Sequence, residues 1–86
     1  MKGVEFLRTE LRVGLTAVKI AQTAKDEAKR NRHRRNAQEA YEAILRFLPK
    51  LTLTSREADE VQSGLATLKA ELQKPSEGRA EEGHGR

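Results

Sequence analysis

Cysteine and tryptophan are absent from this chain, and two Phe and one Tyr are its whole aromatic content. Without Cys there is no disulfide framework and no thiolate zinc site. No apolar run approaches the ~20 residues that cross a bilayer as a helix, so no membrane span is expected. Proline occurs twice, at Pro49 and Pro75, leaving long stretches uninterrupted. A length of 86 residues allows one small domain and excludes a multi-domain enzyme. The first 13 residues do not read as a secretory signal, because Glu5, Arg8, Glu10 and Arg12 break any apolar stretch. The expected location is therefore cytoplasmic.

Leu, Ile, Val and Phe together supply 18 of the 86 residues, close to the composition at which chains stop folding. Eleven Ala and a strong helical periodicity favour a folded, helical chain. A domain this short buries only ~60% of its unfolded surface, so its core is marginal.

In the first segment, residues 4–24, Val4, Leu7, Leu11, Leu15 and Val18 recur at helical spacing. A second stripe runs through Phe6, Val13, Ala17, Ile20 and Ala24. At ~100° per residue the two stripes adjoin into an apolar arc of roughly 200°. One neighbour cannot cover such an arc, so this helix is expected to be central and to touch at least two others. Asp26 is a good cap for a second helix over residues 27–48, stopped by Pro49. The alternative is one unbroken helix through the basic run, with its turn near Asn31. The apolar face of the second helix comprises His33, Ala37, Ala40, Tyr41, Ile44, Phe47 and Leu48. Thr54-Ser55-Arg56-Glu57 reads as a capping box opening a third helix over residues 55–73, whose stripe is Ala58, Val61, Leu65, Leu68 and Leu72. Residues 75–86 carry Gly and charge but no large apolar side chain, and are expected to form a disordered tail. The fold expected is all-α: an up-down-up three-helix bundle over residues 1–74, followed by that tail. The core expected is Leu11, Leu15, Val18, Ala37, Tyr41, Ile44, Leu65 and Leu68. Gly14 and Gly64, each near the middle of a helix, cost ~1 kcal/mol against Ala and suggest close helix approach.

Ala37, Tyr41, Ile44, Leu45 and Pro49 fall at the small, aromatic, apolar, Leu and Pro spacings of a tetratricopeptide second helix. Residues 37–49 thus resemble that helix, and the resemblance implies a peptide-binding helical surface. It covers about a sixth of the chain. Upstream, Ala21, Lys25 and Ala28 stand where the first helix of such a repeat has a large aromatic, a Gly and a Tyr, and Ile44 replaces its usual small residue.

Nothing in the sequence points to catalysis, to a metal or to a cofactor. The two His are far apart, at His33 and His84. A histidine phosphotransfer bundle has small or apolar neighbours and a Lys-Gly pair after its His; here His33 is followed by Arg34-Arg35-Asn36. His33 is expected half-exposed at the open end of the bundle.

The informative feature is charge. Residues 25–36 hold Lys25, Lys29, Arg30, Arg32, Arg34 and Arg35 against Asp26 and Glu27, and so contain the whole net charge of +4. Cations in the first turns of a helix oppose its macrodipole, and Arg30/Arg34 is a like-charge i,i+4 pair. Local stability thus gives no reason for the run, whereas an anionic partner would. The expected function is a non-enzymatic helical interaction module binding a protein partner or itself. The alternative is a small basic nucleic-acid-binding protein using the segment from Lys25 to Arg35. Phe6, Val13 and Ile20 are the expected oligomer surface, if the second helix covers that stripe only in part.

Overall fold

The computed structural model describes residues 3–74. Among them three α-helices follow one another: α1 (Gly3–Thr23), α2 (Glu27–Phe47) and α3 (Ser55–Gln73). A single 3-10 turn, Leu48–Lys50, links α2 to α3. The architecture is an all-α, up-down-up three-helix bundle. The tail expected over residues 75–86 lies outside the described residues.

Local chemistry sets the boundaries. The Asp26 carboxylate accepts from the Ala28 backbone N–H at 3.2 Å, which starts α2 after a three-residue turn. The turn falls at residues 24–26, not at Asn31. Pro49 has no N–H to continue the α-helical ladder, and the chain tightens into the 3-10 turn. At the start of α3 the capping box is complete. The Glu57 N–H donates to Thr54 Oγ1 at 3.1 Å, and the Thr54 N–H donates to Glu57 Oε1 at 3.0 Å.

The core is built from Leu7, Leu11, Ala17, Val18 and Ala21 of α1, Ala37, Ala40 and Ile44 of α2, and Val61, Leu65, Leu68 and Leu72 of α3. Leu15 and Tyr41, expected in the core, are only half-buried and pack against its margin. Leu7 and Val61 take fully covered positions instead, and Leu72 is buried with them. For Leu15 the reason is the width of the apolar arc on α1: the buried residues of that helix span about 120° of the wheel at ~100° per residue, so the flanks of the wider arc stay partly open.

The helices run close because two glycines admit leucines. A Cβ built on Gly14 would lie 2.8 Å from Leu68 Cδ2 and 3.3 Å from Ala40 Cβ, and one on Gly64 would lie 2.7 Å from Leu11 Cδ1. Gly14 thus receives the leucine of α3, and Gly64 receives the leucine of α1. This reciprocal exchange fixes the register of the parallel α1–α3 pair. Arg8 and Glu60 form a two-pronged ion pair at 2.7 and 2.9 Å in the same register. Farther along, the Gln22 amide donates to Glu71.

Candidate functional site

In an up-down-up bundle the C-terminal ends of α1 and α3 lie beside the N-terminal end of α2. Each helix C-terminus leaves carbonyls unpaired and carries about half a negative charge. The basic run of α2 stands at this meeting point. The Arg30 guanidinium donates to the carbonyls of Ala24 at 3.1 Å and Lys25 at 3.2 Å, just past the end of α1. The Arg34 guanidinium donates to the carbonyls of Leu72 and of Lys74, the latter at 3.4 Å, at the end of α3. One segment therefore caps two neighbouring helices. This corrects the expectation that local stability gives no reason for the run: the dipole of α2 is opposed by Arg30 and Arg34, but those of α1 and α3 are complemented.

The other four cations, Lys25, Lys29, Arg32 and Arg35, are exposed, with no ion pair to any described residue. Two ion pairs do occur among the described residues, Arg8–Glu60 and Lys74–Glu71. The Arg8 guanidinium, by hydrogen bond and by charge, holds the Glu60 carboxyl below its ordinary range. Glu71 is held low first by the Gln22 amide and then by Lys74. His33 is half-buried, in the first half of α2.

The second feature is an open face. On α1, Arg8, Leu11 and Gln22 meet α3, while Phe6, Val13 and Ile20 lie about 170° further round at ~100° per residue. That stripe borders α2 on the side away from α3, and α2 covers it only in part. Phe6 and Ile20 are half-buried, and Val13 is 47% exposed. Phe47 of α2, expected on its core face, is 38% exposed instead. It meets Phe6 edge-on, with ring centroids 5.3 Å apart and planes at 79°, and the Lys50 ammonium lies 5.3 Å from its ring centroid. Gly3, Phe6, Phe47 and Leu51 line an apolar cleft of about 370 Å³ at this end.

The two features share one line of α2. Lys29 precedes Phe47 by 18 residues, which is five full turns at ~3.6 residues each. The α1/α2 face away from α3 thus runs from Lys29 and Arg32 at one end to the Phe6/Phe47 cleft at the other. Buried Ala17 and Ala40 keep the seam between the helices low.

No protein-family model, curated protein or solved structure matches the chain. Among the described residues no group of three or more His, Cys, Asp or Glu is placed to hold a metal ion. None of the described helices is long and apolar enough to cross a membrane. Sequence reasoning placed the Phe6/Val13/Ile20 stripe but missed Phe47 as a surface residue and Arg30 and Arg34 as caps. The signal for the caps was present, since up-down-up order brings two helix C-termini to the start of α2.

Proposed function

We propose that this chain is a helical interaction module that binds a protein partner along the face of α1 and α2 turned away from α3. One observation carries the reading: Val13 and Phe47 stand exposed beside half-buried Phe6 and Ile20, above a low seam and next to an apolar cleft. Single exposed apolar residues are ordinary on any surface, whereas a run along two helices is what a docking site needs. The resemblance of residues 37–49 to a tetratricopeptide second helix supports the same reading, because it implies a peptide-binding helical surface.

Copurification from the native cell tests this with three forms of the chain. A Val13→Glu variant is expected to keep the wild-type melting temperature and to lose the partner. A Gln62→Glu variant, on the exposed side of α3, is expected to keep both. A partner retained by Val13→Glu overturns the reading. The exposed Lys25, Lys29, Arg32 and Arg35 favour a second reading, nucleic-acid binding through the basic end. Four phosphate contacts would give retention on immobilised nucleic acid a log–log salt slope of roughly −3 to −4. Retention with that slope, abolished by charge reversal at these four positions, would put the second reading first.

A further inference from the structure

Resting on that reading, we propose that the partner presents an amphipathic helix, docked parallel to α1, with acidic residues in its C-terminal turns lying over Lys29 and Arg32. The bundle already treats helices this way. α1 and α3 both end beside the first turns of α2, and each end receives an arginine, Arg30 for α1 and Arg34 for α3. Lys29 and Arg32 occupy the matching position on the open side, exposed and without an ion pair to any described residue. A third helix laid in the seam in the direction of α1 would end between these two cations. Its unpaired carbonyls and any terminal carboxylates would meet positive charge there. Its opposite end would reach the Phe6/Phe47 cleft about 27 Å away, at ~1.5 Å per residue, where a large apolar side chain fits. Ala17 and Ala40 leave room for its backbone to come near.

Neither residues 75–86 nor a second copy matches this helix. Residues 75–86 hold no large apolar side chain to cover Val13 and Phe47. A second copy laid parallel would bring its own +4 segment against Lys29 and Arg32. Laid antiparallel, it would bring them its other end, where Glu39 and Glu42 balance Arg46 and Lys50 and no net negative charge is offered. The first arrangement sets like charges together, and the second leaves the cations without the acidic complement that an acidic helix supplies. The occupant is a different protein with an acidic helix.

The test uses the full chain and three synthetic helical peptides sharing one leucine stripe. The first carries Glu in its last two turns, the second carries Lys there, and the third carries the Glu residues in its first two turns. Binding is read by fluorescence anisotropy at low salt. The first peptide is expected to bind about tenfold tighter than either of the others, as complementary charge fixes register as well as partner. Lys29→Glu with Arg32→Glu, both at exposed positions outside the core, is expected to reverse the order of the first two. Val13→Glu is expected to abolish binding of all three. Equal affinities, or an order unchanged by the double reversal, overturn this inference and leave the docking face standing. Binding that survives Val13→Glu overturns the face itself, and no binding of the first peptide overturns the inference.

Discussion

Six cations in one short segment have two different jobs, and the distinction is visible side chain by side chain. Arg30 and Arg34 each donate to carbonyls at or just past the C-terminal ends of α1 and α3. Arg35, one residue on from Arg34, is exposed and makes no such bond. Arg34→Ala is therefore expected to cost about 1 kcal/mol, the scale of one net hydrogen bond at a partly exposed site. Arg35→Ala is expected to stay within about 0.5 kcal/mol of the wild type. Urea unfolding of the two variants checks this, and equal losses would contradict the cap. Gly14 gives a second residue-scale test. Alanine there gains ~1 kcal/mol of helix propensity. Its Cβ, however, would sit 2.8 Å from fully buried Leu68 with Ala40 on the other side, and overpacking costs ~1–3 kcal/mol. A net loss of about 1 kcal/mol is expected for Gly14→Ala, and a rise in melting temperature would show that the leucine moves aside.

Each helix is stable for what it packs against more than for its own composition. Leu65 is 5% exposed on the narrow stripe that seats α3 in the groove of the other two. Leu65→Ala is expected to cost ~2–5 kcal/mol and to unfold much of so small a domain at 37 °C. An unchanged melting temperature would mean that α3 is not seated as described. The contacts of α3 also contribute a pH dependence. Glu60 and Glu71 have carboxyl pKa values lowered in the fold by Arg8 and by Gln22 with Lys74. A lowered folded pKa gives stability that is present above the unfolded value of ~4.3 and lost as pH falls through the folded value. Melting temperature is thus expected to fall below about pH 4.5, with a flatter fall in the Glu60→Gln/Glu71→Gln variant. Parallel profiles for variant and wild type would remove these two groups from the acid response.

At the scale of the whole molecule, fold class, helix order and boundaries were legible because each rested on a local signal. Asp26, Pro49 and the Thr54/Glu57 box mark boundaries to within a residue or so, and the stripes of α1 and α3 mark the buried sides. That the Phe6/Val13/Ile20 half of the broad arc on α1 would remain open was legible only as a condition on how far α2 covers it. That depends on where α2 and α3 sit around it, and the leucine–glycine exchange that places α3 involves residues more than fifty positions apart. Phe47 was misread for a related reason. It belongs to the apolar side of α2, but α1 offers it only Phe6 at the edge of the bundle. The basic run was legible as a feature and not as a structure, because its two capping arginines serve carbonyls of other helices. A parallel second copy on the open face would set cations together and an antiparallel one would offer them no net negative charge, so sedimentation equilibrium at low salt is expected to give a monomer. A stable dimer dissociated by Ile20→Glu would return the face to self-association.

The claim that the α1/α2 face is the working surface is tested most directly by site-specific photo-crosslinking in the native cell. A photoreactive residue replaces Val13 in one sample and Gln62, exposed on α3, in another. A discrete protein adduct from position 13 and none from position 62 is the predicted result. Adducts of equal yield from both positions, or from position 62 alone, would contradict it.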